Sequence, residues 1–156
     1  MHARHAVLAC ALLAVAACST TAKKSAPVAV PSAPAAARDD TLYRALGAQA
    51  GIEKVVDAAL AEIHNDPHIN LFFANTDMPD LRRLLVEQFC AATGGPCEYT
   101  GRSMEEAHGG LNLTDDDFDR FVADLVRAFD KAAVPKDLQQ QLLALFGPMR
   151  KQIVGQ

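Results

Sequence analysis

Residues 94–114 constrain the fold of this 156-residue chain more than any other stretch. Five glycines lie in it, and the only predicted helix there is a single turn that opens at Ser103 and ends at His108. Such a long stretch with little secondary structure is uncommon inside a compact domain. We therefore expect a bound cofactor to organise it, held by His108, the one histidine that the stretch contains.

The rest of the folded part has the apolar spacing of amphipathic helices, and no segment alternates as a β-strand does. This spacing predicts helices over residues 41–46, 51–65, 77–93, 114–129 and 135–153, with one apolar turn at 71–73. Asp77 and Thr114 have side chains that cap helix N-termini. Pro148 lies inside the last predicted helix and should bend it. The expected fold class is all-α.

The first seventeen residues read as a signal peptide. Residues 6–17 are apolar but too few to span a bilayer as a helix. Their last two residues and the next one form Ala16-Ala17-Cys18, which resembles the lipobox of bacterial lipoproteins. This resemblance implies cleavage before Cys18 and a lipid on its sulfur. Ser19 in place of aspartate accompanies outer-membrane sorting in such proteins. The expected location is the cell envelope, anchored by lipid to the outer membrane and facing the periplasm. An ordinary secretory signal with an incidental Cys18 is the alternative.

Residues 18–38 are rich in alanine and proline and have no hydrophobic period, which predicts a disordered tether after the lipidated Cys18. The expected folded domain is then residues 39–156. About half of the chain is hydrophobic, enough for a core, and the net charge of −4 argues against a nucleic-acid partner.

His108 is the candidate metal ligand. Imidazole suits iron, zinc and copper, but structural zinc needs about four protein ligands, and no second histidine lies at motif spacing. Haem iron needs only one protein ligand, because the porphyrin supplies four nitrogens. The residue types alone leave a surface or structural histidine open.

The residues around His108 resemble the signature of group 1 truncated haemoglobins. The matching elements are Phe72-Phe73, Thr76-x-Met78, Phe89, Gly94-Gly95-Pro96, Tyr99-x-Gly101-Arg102 and Met104-x3-His108. The likeness extends from about Thr41 to Gln156. It implies a two-over-two helical sandwich around haem b (iron protoporphyrin IX), with His108 as the proximal iron ligand.

The resemblance also implies further haem contacts. Phe73 falls on the phenylalanine that packs on the porphyrin, Met104 on the methionine of the proximal face, and Leu113 on the same cofactor site. Core packing alone is the alternative for Phe73 and Met104. A second set comprises candidates for the haem propionates, because guanidinium groups bind carboxylates in a bidentate manner; these are Tyr99, Arg82 and Arg83. A solvated helix face is the alternative for the arginines.

The distal positions implied by the resemblance are all leucine, namely Leu60, Leu81 and Leu85. Family members that hold oxygen tightly often have tyrosine at the first position and glutamine or another polar residue at the others. A bound oxygen carries partial negative charge, and a hydrogen bond to it is worth about 1.5–3 kcal/mol. Without a donor, oxygen affinity should fall by about ten- to a hundredfold. Nitric oxide and carbon monoxide depend less on that donor.

The expected function is a haem globin that binds O2, NO or CO at a five-coordinate iron. The alternatives are a haem-based redox or gas sensor, an electron carrier with His64 as second axial ligand, and a nitric oxide dioxygenase or peroxidase-like enzyme. The apolar pocket argues against fast turnover and favours a binding protein. An unidentified reductase is the expected protein partner. A haem-free lipoprotein is disfavoured, because nothing would fill the glycine-rich stretch.

Cys90 and Cys97 flank the tight turn at residues 94–96, where a separation of seven residues can bring two Cα atoms within disulfide range. An oxidising compartment favours the bridge, which would be worth roughly 2–3 kcal/mol. Two buried thiols are the alternative.

Overall fold

The computed structural model describes residues 39–156. The predicted signal peptide, the lipidation at Cys18 and the predicted tether lie outside the described residues. In residues 39–156 every regular element is helical. No helix in this range is both long enough and apolar enough to cross a membrane.

Seven α-helices and two 3₁₀ turns make up the described part of the chain. They are α1 (Thr41–Ala45), α2 (Ala48–Asn65), a 3₁₀ turn (Asn70–Phe73), α3 (Met78–Ala92), α4 (Met104–His108), α5 (Asp115–Lys131), α6 (Lys136–Phe146), a second 3₁₀ turn (Gly147–Met149) and α7 (Arg150–Ile153). The α2 helix packs against both α3 and α5. The two longest helices, α2 and α5, therefore pack against each other.

The core lies between α2, α3, α5 and α6. Val56, Phe129 and Leu142 have no exposed surface there, and each comes from a different helix. The Phe89 ring of α3 lies 4.5 Å from the Phe146 ring of α6, centroid to centroid. Burial of such large apolar side chains is the main force that holds these helices together.

Three predicted N-caps are confirmed, and they fix where α3, α4 and α5 begin. The side chains of Asp77, Ser103 and Thr114 each accept a hydrogen bond from the backbone N–H three residues further on. For α4 and α5 the acidic side chain at that third position also accepts from the cap residue's N–H, completing a capping box. The hydrogen bonds between Ser103 and Glu106 therefore stabilise the N-terminal end of α4, although this helix has only one turn.

Two predicted helix boundaries are wrong. The α2 helix begins at Ala48 instead of Gly51, because Gly47 adopts a left-handed φ of 95° and ends α1 immediately before it. The last predicted helix does not continue in a bend through Pro148. It ends at Phe146 and resumes as α7 after a 3₁₀ turn. Proline lacks the N–H and clashes with the carbonyl four residues back, and here that interrupts the helix completely.

Candidate functional site

His108 closes α4, and its ring is oriented by its own helix. The Nδ1 atom of His108 lies 2.7 Å from the carbonyl oxygen of Met104. A carbonyl only accepts hydrogen bonds, so Nδ1 is the nitrogen that carries the proton in the neutral ring. The lone pair is then on Nε2, and the side chain is half-buried. A hydrogen bond from the opposite ring nitrogen is the usual support of a metal-ligating histidine.

The leucine face of α3 is directed towards α4. Leu81, Leu85 and Gln88 are spaced by four and three residues, which places them on one helical face. The amide Nε2 of Gln88 lies 3.5 Å from the Met104 sulfur on α4, close enough for a weak hydrogen bond. This contact places the Gln88 end of that face beside the helix that bears His108.

The large apolar side chains at the predicted haem site are only half-buried, unlike those of the core. Each of the predicted haem contacts and distal residues of this type belongs to that class: Leu60, Phe73, Leu81, Leu85, Met104 and Leu113. Leu60 of α2 and Leu85 of α3 also pack against the margin of the core. A flat, largely apolar cofactor between α3 and α4 would cover such side chains, and one coordinating imidazole is the ligand that it needs. These residues fit a haem.

The turn that carries Phe73 is tied to the start of α5. His68 Nε2 lies 2.5 Å from an oxygen of Asp117, and the His68 ring meets the ring of Phe72 edge-on with centroids 6.5 Å apart. Asp117 also accepts from the hydroxyl and N–H of Thr114. The Thr114 hydrogen bonds, and then that of His68, lower the pKa of Asp117 to about 2. The carboxylate is therefore ionised at neutral pH and can hold the 66–73 loop against α5.

The Gly94-Gly95 pair ends α3 and starts the loop that leads to α4. The N–H of Gly94 bonds to the carbonyl of Ala91, and the N–H of Gly95 to that of Cys90. With Gly94 at a φ of 87°, this is a Schellman ending, in which a left-handed residue closes the helix. The structure also has a disulfide between Cys90 and Cys97, with Cα atoms 5.7 Å apart. Helix α3 and the loop are thus joined at two points.

The candidate propionate residues already have protein partners. Arg82 donates two hydrogen bonds to Asp57 of α2, at 2.6 and 3.0 Å, and this pairing lowers the pKa of Asp57. Arg83 pairs with Asp80 and Glu87 on its own helix. A propionate would have to compete with these carboxylates, so contact with the cofactor stays a prediction for both arginines.

Tyr99 is half-buried, and its hydroxyl donates to the carbonyl of Arg102 at 2.9 Å. Burial raises the pKa of this phenol. A Cβ atom at Gly101 would lie 2.3 Å from the Tyr99 hydroxyl oxygen, so the Tyr-x-Gly pattern is a packing unit. Its proposed role towards a propionate stays a prediction.

His64 and Gln88 also concern the candidate site. His64, the candidate second axial ligand, is exposed in the last turn of α2. Gln88 was missed, although its spacing from Leu85 was a usable signal. It introduces an amide into a face that we had described as apolar.

Similar proteins of known type indicate the fold and the cofactor. The family model of bacterial-like globins matches residues 41–154. A group 1 truncated haemoglobin of Mycolicibacterium paratuberculosis is 31% identical over 113 residues, which are 72% of this chain and 83% of that protein.

Solved structures give the same result. The truncated haemoglobin of Tetrahymena pyriformis in its Fe(III) form superimposes with a TM-score of 0.71 at 26% identity, covering 74% of this chain and 98% of that one. The 2/2 haemoglobin of Synechococcus, solved with covalently attached haem, gives a TM-score of 0.69 at 29% identity, covering 74% and 98%. The expected two-over-two helical fold is thereby confirmed. The chain belongs to the bacterial-like globin family and, within it, to the group 1 truncated haemoglobins.

Proposed function

We propose that this protein binds haem b between α3 and α4, where Nε2 of His108 would hold the iron, and that the haem protein binds a diatomic gas. The observation that carries this proposal is the hydrogen bond from His108 Nδ1 to the Met104 carbonyl, which leaves the Nε2 lone pair available to a metal. Haem iron, when bound, supplies an open coordination position for O2, NO or CO. His108 would leave that position free, since one protein ligand suffices.

The distal residues determine which gas is held. The side chains of Leu60, Leu81 and Leu85 contain no polar atom, so they exclude water without donating a hydrogen bond to a ligand. Oxygen gains most from a donor, because its bound form carries partial negative charge. The one amide on this face of α3, that of Gln88, is directed at methionine sulfurs. The leucines therefore favour NO and CO and allow only short-lived oxygen binding, which supports a gas-binding role over oxygen storage.

The absorbance spectrum of purified protein with haemin, in ferric and ferrous forms, tests this proposal. We expect stoichiometric haem uptake and a five-coordinate ferrous spectrum that changes when CO is added. A six-coordinate ferrous spectrum that is lost in the His64→Ala variant would support the electron-carrier alternative instead. If the protein binds no added haemin, the proposed function is overturned.

We also propose that the domain is tethered to a bacterial membrane through a lipid on Cys18, facing the periplasm. The Ala-Ala-Cys sequence and the alanine- and proline-rich residues that follow support this proposal. Incorporation of labelled palmitate, lost in the Cys18→Ser variant, is the expected result. Unlabelled wild-type protein released as a soluble secreted form would contradict it.

A further inference from the structure

The last residues of the sequence fold back onto the segment that follows His108. The N–H of Gly155 donates to the carbonyl of Leu113, and the N–H of Asn112 donates to the carbonyl of Gln156, both at 2.9 Å. Helix α7 also packs against α4. We call residues 150–156 the strap. It exists because the helix break at Pro148 turns the chain towards the His108 side.

One side chain locks the strap to the start of α5. Arg150 donates to Asp115 at 2.6 Å and forms a second ion pair with Asp119. Its guanidinium carbon lies 4.5 Å from the centroid of the Phe118 ring, a cation–π distance. All three partners lie on one face of the first turns of α5. The guanidinium therefore joins α7 to the helix that begins just after the 109–114 segment.

The segment that the strap holds has little stability of its own. Helix α4 has a single turn, and isolated helices of that length are not stable in water. A capping box holds its first residue, but His108 is its last residue and two glycines follow. Asn112 has a φ of 51°, in the left-handed region, so no regular helix continues through this segment. The two backbone hydrogen bonds of the strap hold residues 112 and 113, and the packing of α7 against α4 supports the segment nearer to His108.

We propose that the strap, locked by Arg150, holds His108 in its iron-binding position and slows the loss of haem. Arg150 is then a positioning residue, whose side-chain partners are on α5. The inference rests on the proposed haem function. It adds that a pairing distant in sequence from the ligand sets how long the cofactor stays bound.

Transfer of haem from the full-length protein to excess apomyoglobin tests the strap. We expect Arg150→Ala to accelerate haem loss roughly tenfold, and Arg150→Lys to restore part of the difference because it keeps the charge but not the planar fork. The matched control is Arg120→Ala, which removes another α5 ion pair, that of Arg120 with Asp116, without touching the strap. It should lose haem at the wild-type rate.

Hydrogen exchange of the haem-free protein gives a second readout. Arg150→Ala should lose protection at the amides of 108–114 while the core amides of α2 keep theirs. Unchanged protection at 108–114, or haem loss equal to that of wild type or of Arg120→Ala, would overturn the strap proposal. Failure of the wild-type protein to bind haem would overturn the proposed function, and the exchange data would still decide whether the strap holds the segment.

Discussion

Replacing Leu60 by tyrosine should slow both oxygen release and oxidation of the oxygenated ferrous protein by about ten- to a hundredfold. Leu60 is half-buried and packs against the margin of the core. A phenol at this position would add a hydrogen-bond donor among leucines. Its bond to a partly charged oxygen ligand is of the charge-assisted kind, and its low-dielectric surroundings make it stronger.

The matched control is Leu60→Phe, which introduces the same ring without the hydroxyl. Stopped-flow oxygen release and the rate of conversion to the ferric spectrum should match wild type in this variant and slow only with tyrosine. If tyrosine and phenylalanine have the same effect, ring size rather than the donor explains the change. If neither variant differs from wild type, Leu60 does not face the ligand and the distal assignment is wrong.

Gly94→Ala should destabilise the protein by about 2–4 kcal/mol, because it combines two costs. The residue has a φ of 87° in the Schellman ending of α3, a conformation that favours glycine. A Cβ atom there would also lie 1.8 Å from the carbonyl oxygen of Asp39, which is backbone and cannot turn aside. The chain before α1 or the loop to α4 would have to move.

Gly155→Ala separates the two costs of that substitution. Gly155 has a similar φ of 76°, but no atom lies within 4 Å of its added Cβ. We expect this control to cost only about 1 kcal/mol, the price of a left-handed alanine. Urea denaturation of the two variants measures the difference. Equal losses of stability would show that the approach of Gly94 to Asp39 does not matter.

The fold was predictable where the signals are local. Asp77, Ser103 and Thr114 cap the helices that the sequence assigned to them, because a capping side chain needs only the backbone three residues away. Proline at position 148 gave an ambiguous signal. It can kink or end a helix, and the choice depends on what the following residues can pack against. Here the chain after the break packs against α5 through Arg150, a contact between residues distant in sequence.

The candidate site was predictable in type and less so in its contacts. The spacing of Met104 and His108 already allowed a hydrogen bond between neighbouring turns, so the orientation of the ring is local information. The partner of Arg82 was not readable, because Asp57 lies on another helix, 25 residues away in the sequence. The spacing of Gln88 from Leu85 already places it on the leucine face of α3, but its contacts with two methionine sulfurs have no sequence signature.

The central claim is that Nε2 of His108 binds haem iron, and the His108→Gly variant tests it most directly. Glycine leaves a space that free imidazole can enter. We predict that the variant with added haemin lacks the Soret band of the wild-type protein. Free imidazole at about millimolar concentration, the range of a weak dissociation constant, should restore the band. A variant that takes up haem with an unchanged spectrum in the absence of imidazole would contradict the claim.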